Sequence, residues 1–373
     1  MYLFTFIFLG AFALYDISRR GMSRNKLYGY FLIIVVVWLI AHDGLRWGVG
    51  TDWYPYYSYF SDCISNDSIV FEPGYILINK FIRFFTDNYT VFLLLNAAVV
   101  YILIAKSVIK YSPLPLVSLF IFYCLMLPYM GANRQYIALA ISFFSYQYII
   151  ERKIYLFLMV IAIASLFHTS ALLFIFAYFL VNRISDKAII YSLLIIITLS
   201  ITNIIDKIAP AFFYLIGDRI GDKLQFYSSY ASQNQDQTII NTLLSLSRRL
   251  LLIFFVLFLF NKKERENSVF NFIFNLYFIA ALIYITFNKT SLQIIVGRGM
   301  MYYNIAEIFL IPFVLLKFKK GYSRTILLLL FACYGWLQIE KGLNYYQEQE
   351  GVDIFRPYNS SLTDETHEPE GRQ

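Results

Sequence analysis

Charged residues are scarce in this chain. Lysine, arginine, aspartate and glutamate make up 15% of its 373 residues, whereas a soluble domain carries about a quarter. Hydrophobic residues make up 59%, and the mean hydropathy is +0.59. Apolar runs recur along nearly the whole chain and are continuous instead of alternating, which argues against a soluble domain and against a β-barrel. The composition therefore indicates an all-α polytopic membrane protein.

Cysteine and histidine are also rare, with three residues of each type. The cysteines stand far apart, at Cys63, Cys124 and Cys333, so the chain has neither a disulfide framework nor the spacing of a metal site. No Ser–His–Asp order, P-loop, zinc motif or haem motif is present. The lone Gly48-Val49-Gly50 has no preceding strand and is not a dinucleotide fingerprint. No cofactor is predicted.

The net charge of +7 comes from basic clusters that follow apolar runs, so it does not indicate nucleic-acid binding. If the spans alternate, every cluster falls on one side, which we take as the cytoplasm. The clusters are Arg19/Arg20/Arg24/Lys26, Lys106/Lys110, Arg152/Lys153, Arg183/Lys187, Lys262/Lys263/Arg265 and Lys317/Lys319/Lys320/Arg324. Because basic residues follow the first apolar run and do not precede it, that run is predicted to be a retained span and not a signal peptide. Both termini then face outward.

About twelve spans are predicted from the apolar runs and the charges or turn residues that bound them. They cover residues 1–16, 27–42, 89–106, 114–130, 135–150, 154–168, 169–182, 188–204, 243–260, 268–287, 301–316 and 325–341. Residues 1–344 form the predicted membrane domain, and residues 345–373 form a polar extracytoplasmic tail that is mobile at its end.

Two long outward loops, 43–88 and 205–238, carry amphipathic segments. In the first, Pro73 suits the first turn of a helix that continues from Tyr75 to Phe85. In the second, the segment from Ala209 to Tyr230 has charged residues on one side. Both segments are predicted to be helices that lie in the membrane interface.

The most informative stretch runs from His42 to Tyr54, directly after the second predicted span. It holds a cation, carboxylates, glycines and aromatic residues, which are costly near lipid unless they form a polar site. Arg46 is predicted to bind phosphate oxygens, and Asp52 to accept a proton or hold a sugar hydroxyl. The alternative is an Arg–Asp pair that only holds the loop together.

Two further outward turns carry candidates. Arg134 lies in the very short turn Gly131-Ala132-Asn133-Arg134-Gln135 and is either a site residue or a side chain that extends to the interface. His168 lies between two apolar runs and is either structural or a proton carrier or sugar ligand. Glu72 and Lys223 are weaker candidates.

The last candidates lie in the C-terminal half. Arg248 and Arg249 interrupt an apolar run, and mid-membrane each would cost a few kcal/mol. Either the span starts near Arg249, or an arginine points into a polar cavity. Arg298 lies between two glycines and before two tyrosines, in a predicted tight outward turn, and is either a site residue or a side chain that extends to the interface. Glu307, inside another apolar run, is a weaker candidate or a partner for one of these arginines. Arginines that project to one side from different spans suit a phosphate or pyrophosphate ligand.

These landmarks, in their order and spacing, resemble the EpsG/Wzy group of bacterial polysaccharide polymerases. The matching segments are Gly44 to Trp53 with Tyr56 and Tyr57, Glu72 to Tyr75, Asn133 to Ala138, Phe167 to Leu172, Lys223 to Tyr227, Arg298 with Tyr302 and Tyr303, and Arg356 to Tyr358. Each motif is short, but the ordered set covers nearly the whole chain.

The resemblance implies a glycosyltransferase of the bacterial inner membrane with a relative of the GT-C fold and an active site facing outward. Its substrate would be an undecaprenyl-pyrophosphate-linked repeat unit, polymerised into O-antigen, capsule or exopolysaccharide, and its partners membrane lipid and a chain-length regulator protein. The pyrophosphate-binding residues would be Arg46, Arg134, Arg248, Arg249 and Arg298, and the candidate bases Asp52, Glu72 and His168. Because no acidic metal-binding motif is apparent, metal-independent chemistry is expected.

Two other functions stay open on the sequence. A flippase or transporter of the same lipid-linked glycans requires alternating access and inner-face polar residues, which the short basic loops lack. Another outer-face transferase, such as an O-antigen ligase or a serotype-modifying glucosyltransferase, would add a single unit instead of making a ladder of lengths.

Overall fold

The computed structural model describes residues 1–19, 25–65, 71–209, 239–288, 290–293 and 295–364. Within these ranges the chain forms helices and no strand; one isolated β-bridge joins Arg46 to Ser360. The all-α prediction is therefore confirmed. The first eight helices are α1 Tyr2–Ser18, α2 Lys26–Gly44, α3 Trp53–Asp62, α4 Pro73–Phe85, α5 Tyr89–Tyr111, α6 Pro115–Met126, α7 Asn133–Phe144 and α8 Tyr146–Ile150.

A short polar turn at residues 151–153 separates α8 from the remaining α-helices. They are α9 Ile154–Ser165, α10 Asp186–Ile201, α11 Ile239–Leu259, α12 Ser268–Phe287, α13 Met301–Asn304, α14 Glu307–Lys317, α15 Tyr322–Glu350 and α16 Ser361–Asp364. A 3₁₀ helix covers Thr169–Phe179, and a π-helical turn covers Ile295–Gly299.

Helix starts follow local sequence signals. The side chain of Asn25 accepts a hydrogen bond from the Tyr28 N–H, and Asn88 accepts one from the Thr90 N–H, so each caps an otherwise unpaired first turn. Pro73 begins α4, as predicted, because proline lacks the N–H that a first turn leaves unpaired anyway.

Four helices are long and apolar enough to cross a membrane: Lys26–Gly44, Tyr89–Tyr111, Ser268–Phe287 and Tyr322–Tyr345. Each of the twelve predicted runs coincides with a helix or with consecutive short helices, but twelve crossings are not confirmed. The run predicted at 135–150 breaks at Ser145, and the run at 301–316 breaks between Asn304 and Glu307. Such pieces are shorter than the ~20 residues that span a bilayer.

The described residues divide into two compact units. The first contains residues 1–148, 155–172 and 315–373, and the second contains residues 149–154 and 173–314. In the first unit α2 packs along α5, α1 and α15 pack on α6, and α5 packs on α7. In the second unit α12 packs against α10, α11 and α13.

An aromatic core lies under the first long loop of the first unit. Trp53 and Tyr56 from α3, Tyr75 from α4, and Tyr89 and Phe92 from α5 are all buried in it. This core joins α3 and α4, so the loop between the two predicted spans is a packed structure. The second amphipathic segment, from Ala209 to Tyr230, lies outside the described residues apart from Ala209.

Helix α4 is amphipathic, as predicted, but both of its faces carry apolar residues. Tyr75, Asn79 and Ile82 face the core. Leu77, Phe81, Phe84 and Phe85 are exposed, with Phe84 at 78%. An exposed apolar stripe on a helix between two spans supports the prediction of a helix in the membrane interface.

The predicted polar tail from residue 345 begins inside a helix. Helix α15 continues to Glu350, and residues 351–364 pack against the loop after α2. The Trp47 N–H donates to the Asn359 carbonyl at 3.0 Å, and the Ser361 N–H donates to the Leu45 carbonyl at 2.9 Å. The predicted mobile end, 365–373, lies outside the described residues.

Candidate functional site

A polar cluster of the first unit is built around an ion pair between Arg134 and Glu72. Arg134, in the first turn of α7, donates from Nη1 to Glu72 Oε2 at 2.5 Å. Glu72 is the residue before α4. The two side chains expose 22% and 15% of their surface. The pair is therefore accessible from one side while most of it is removed from water.

The Arg134 guanidinium also contacts aromatic residues. Its Nε donates to the Tyr56 hydroxyl at 2.9 Å, and its Cζ lies 4.5 Å from the Phe71 ring centroid. The Tyr56 hydroxyl is in turn 3.4 Å from Asp52 Oδ2. Because Asp52 directly precedes α3 and Tyr56 lies one turn later, the helix itself sets this spacing. The polar cluster thus extends from Glu72 through Arg134 and Tyr56 to Asp52.

His168 joins the same cluster from the end of α9. The Gly74 N–H donates to the Leu166 carbonyl at 2.8 Å, which ties the start of α4 to the residues before His168. The next residue, Thr169, directs its backbone N–H toward Glu72 Oε1 at 3.4 Å. The structure therefore brings together Asp52, Glu72, Arg134 and His168, four residues that the sequence placed in separate loops.

Ser170 determines the state of the His168 ring. The Ser170 N–H donates to His168 Nδ1 at 3.2 Å, and the Ser170 hydroxyl lies 2.6 Å from the same atom. A backbone N–H can only donate, so Nδ1 is an acceptor and the proton of the neutral ring is on Nε2. His168 in this state offers an N–H donor and not a basic nitrogen at Nε2.

Electrostatics keep Glu72 ionised. Burial raises the pKa of the Glu72 carboxyl, but its own backbone N–H and the Arg134 guanidinium hold that pKa below its ordinary value. Burial and the nearby Asp52 raise the pKa of Tyr56 to about 12, so its hydroxyl stays protonated. The polar cluster therefore holds a carboxylate, a guanidinium and a neutral phenol at neutral pH.

Arg46 lies apart from this accessible cluster, in the interior of the first unit. Its surface is 1% exposed. Nη1 contacts both the backbone carbonyl and the side chain of Asp43, and Nη2 donates to Asn133 Oδ1 at 2.7 Å. Because Asn133 precedes Arg134, Arg46 fixes the start of the helix that carries Arg134. The partner of Arg46 is Asp43 and not Asp52, the residue of the alternative Arg–Asp pair.

The predicted arginines of the second unit fall into two environments. Arg248 donates from Nη1 to both carboxylate oxygens of Glu307, at 2.6 and 2.7 Å, which confirms that Glu307 pairs with one of them. Arg249 is buried, stacks 3.9 Å from the Tyr284 ring centroid and donates to the Ser245 carbonyl at 3.0 Å. Arg298 is exposed in the π-helical turn. Lys223 lies outside the described residues.

A model of the EpsG family matches residues 29–352, which is most of the chain. The chain belongs to the EpsG family. EpsG is a family of Wzy-type polysaccharide polymerases, so this is a membrane protein of polysaccharide biosynthesis whose family implies glycosyltransferase chemistry. No curated protein and no solved structure matches the chain.

The EpsG match contains the whole polar cluster, Arg46 and the three arginines of the second unit. Within the described residues of this EpsG-family chain, no group of three or more His, Cys, Asp or Glu side chains is arranged to hold a metal ion.

Sequence reasoning missed several residues of this EpsG-family site. Tyr56 was not predicted as a site residue, although an Asp-x-x-x-Tyr spacing on a helix indicates a contact. Asp43 was missed as the partner of Arg46, although its i, i+3 spacing from Arg46 is visible. Ser170 and Asn133 carried no comparable signal, because their roles depend on contacts that only the folded chain makes.

Proposed function

We propose that this EpsG-family protein polymerises undecaprenyl-pyrophosphate-linked repeat units on the outer face of the bacterial inner membrane. The observation that carries the proposal is the polar cluster. It brings Asp52, Glu72, Arg134 and His168 to one place, beside an aromatic core and next to the predicted outward end of α2. An arginine with an exposed edge suits a phosphate anion, and the carboxylates and imidazole suit transfer of the acceptor proton.

Arg134 is proposed to bind the pyrophosphate. Its Nε and Nη1 are held by Tyr56 and Glu72, so the guanidinium plane is fixed before substrate arrives. Its Nη2 takes part in neither bond. A preorganised donor aimed at the charge that develops on a leaving group is worth about 10²–10³ in kcat.

Asp52 is proposed as the base. Glu72 is already paired with Arg134 through Oε2, and His168 carries its ring proton on Nε2. In the proposed step the acceptor hydroxyl oxygen forms a bond to the anomeric carbon of the donor sugar. The bond from that carbon to the pyrophosphate oxygen breaks, the electron pair leaves with the pyrophosphate, and the hydroxyl proton moves to Asp52. Nε2–H of His168 donates a hydrogen bond to a substrate oxygen.

Arg46 is proposed to support the site by holding Asn133, because its buried guanidinium is already paired with Asp43. Direct binding of pyrophosphate by Arg46 would require that pair to open. Arg248, Arg249 and Arg298 stay predicted ligands of the anion on sequence grounds. A chain-length regulator likewise stays a predicted partner.

The test is elongation of a defined undecaprenyl-pyrophosphate oligosaccharide by the purified protein in liposomes. We expect a ladder of lengths from the unaltered protein and loss of about 10²–10³ in rate from Arg134→Ala. Arg83→Ala is the matched control, since Arg83 also exposes 22% of its side chain and pairs with a carboxylate, Asp87, but lies at the far end of α4.

Three outcomes separate the alternatives. Addition of a single unit would favour a ligase or a serotype-modifying transferase, and movement of the lipid-linked glycan without elongation would favour a transporter. Full elongation by a folded Arg134→Ala protein would overturn the site assignment while leaving the polymerase function in place.

A further inference from the structure

The residues after α15 make an ordered set of contacts that the proposed chemistry does not use. We call residues 351–361 the C-terminal segment. All but its first two residues lie beyond the EpsG match, which ends at 352. It contains Arg356-Pro357-Tyr358, which belongs to the family resemblance but has no predicted role.

The C-terminal segment binds the loop between α2 and α3 through the backbone. The Gly50 N–H donates to the Ile354 carbonyl at 3.0 Å, and the Trp47 N–H donates to the Asn359 carbonyl at 3.0 Å. The Ser361 N–H donates to the Leu45 carbonyl, and Arg46 forms an antiparallel bridge with Ser360. A loop without a neighbouring strand leaves such groups to water. Here the Leu45 carbonyl and the Trp47 and Gly50 N–H groups are paired with the C-terminal segment.

Side-chain hydrogen bonds also hold the C-terminal segment in place. The Tyr358 hydroxyl donates to the His42 carbonyl at 2.7 Å, and the Tyr2 hydroxyl donates to the carbonyl of the buried Phe355 at 2.7 Å. The Arg356 guanidinium contacts Asn344 on α15 and donates from Nε to Asp353 Oδ2 at 2.9 Å. The segment is therefore tied to α1, to α2 and to α15.

The loop that it holds leads directly into the polar cluster. Thr51 donates its N–H to the Met130 carbonyl at 3.0 Å, and Asp52 follows at once. Arg46 holds Asn133, next to Arg134. A shift of this loop thus changes the distance between Asp52 and Arg134, and a misplacement of 1 Å near reacting groups costs about 10²-fold in rate.

We propose that the C-terminal segment is a positioning element of the reaction site. By pairing with residues 45–50 it holds Asp52 and Arg134 at the separation that transfer requires. This inference rests on the proposed function, since it takes the polar cluster as the site. No residue of the segment is proposed to contact substrate.

The test compares two truncated proteins with the full chain. One ends at Glu350 and lacks the C-terminal segment; the other ends at Asp364 and retains it. We expect the shorter protein to lose about 10²-fold in elongation rate and the longer one to match the full chain. A synthetic peptide of residues 351–364, added to the shorter protein, should restore part of the rate. Rescue by peptide separates positioning from a general loss of folding.

Tyr358→Phe provides a milder variant, because it removes only the hydrogen bond to the His42 carbonyl. Its expected effect is a lower kcat at unchanged KM, since the segment does not bind substrate. Tyr322→Phe is the control, as Tyr322 is an exposed tyrosine at the start of α15.

Hydrogen exchange of the Trp47 and Gly50 amides gives a readout that does not depend on activity. We expect slow exchange in the full chain and fast exchange in the protein that ends at Glu350. Equal exchange in the two proteins overturns the inference, as does full elongation by the shorter one. If the full chain makes no polymer, the proposed function fails, while the exchange result still decides whether the segment holds the loop.

Discussion

Ser170 sets the chemistry that His168 can perform, because its N–H and hydroxyl both lie against Nδ1. We expect ¹⁵N NMR of histidine-labelled protein to show the Nε2–H tautomer for His168. With three histidines in the chain, the His168→Gln spectrum assigns the signal. Ser170→Ala removes the hydroxyl contact but keeps the backbone N–H, so it should shift the Nδ1 signal and leave the Nε2–H tautomer unchanged.

Ser165→Ala is the control for this prediction, since the Ser165 hydroxyl donates to the Ala162 carbonyl and not to the ring. It should leave the His168 signals unchanged. An Nδ1–H tautomer in the unaltered protein would contradict the assignment and return His168 to the candidate bases.

Glu72 gives the polar cluster a pH dependence whose sign follows from its lowered pKa. A carboxyl with a lower pKa in the folded protein stabilises the fold above its unfolded pKa, about 4.3 for Glu. This contribution is lost as the pH falls through the folded pKa. The melting temperature of the unaltered protein should therefore exceed that of Glu72→Gln at pH 7, and the difference should shrink below about pH 4.

Glu151→Gln is the control, because Glu151 forms an exposed pair with Lys153, and such pairs contribute about 0–1 kcal/mol. A difference between Glu72→Gln and the unaltered protein that stays constant down to pH 3 would contradict the role of the Glu72 charge.

At the residue scale, the residues of the polar cluster were easier to predict from the sequence than the residues that they contact. Asp52, Glu72, Arg134 and His168 stand out because each is polar in a chain that is otherwise apolar, and the structure brings them together. Arg46 stood out for the same reason, yet it is buried against Asp43. Polarity near a membrane span identifies a residue with a partner, but not whether that partner is protein or ligand.

At the scale of elements, the loop after α2 depends on close contact between two glycines. Gly50 has φ of +115°, and a Cβ there would lie 2.7 Å from the Met130 carbonyl oxygen. Gly131, with φ of +109°, faces it from the other side. Gly50→Ala should destabilise the protein by about 1–2 kcal/mol from backbone strain and by about 1–3 kcal/mol more from overpacking. Elongation should fall as well, because Asp52 lies two residues away.

Gly48→Ala is the matched variant in the same loop. Its φ of +63° also favours glycine, but no atom lies within 4 Å of the added Cβ. It should therefore show only the backbone cost, measured as the change in melting temperature of the purified protein. Equal destabilisation by the two substitutions would show that the close contact at Gly50 contributes nothing.

Elements were predictable where a local signal defines them. Pro73 and the amphipathic sequence that follows it predicted α4. The apolar runs predicted the positions of the other helices. The packing of residues 351–364 was not predictable, because a polar composition is typical of both a mobile tail and a segment that pairs through its backbone. That distinction depends on Trp47 and Gly50, which are some 300 residues away along the chain.

At the scale of the whole molecule, the sequence predicts an orientation through the basic loops. Residues 43–88 and the C-terminal residues should face outward, and the loop with Arg152 and Lys153 should face the cytoplasm. We would replace Cys63, Cys124 and Cys333 by serine and then introduce Ser61→Cys, Thr363→Cys or Lys153→Cys. All three new positions are exposed. A maleimide that cannot cross membranes should label the first two variants in intact cells and the third only after permeabilisation.

The placement of the reaction depends on this result, because Ser61 lies on α3, the helix that begins next to Asp52. If Ser61→Cys reacts only after permeabilisation, the polar cluster faces the cytoplasm, and a polymerase acting on flipped repeat units cannot use it. If Ser61→Cys and Lys153→Cys both react in intact cells, at least one predicted span between them is not a crossing. Three crossings are predicted between these two positions, and an odd number places them on opposite sides of the membrane. The labelling pattern therefore detects both a reversed orientation and a predicted span that does not cross.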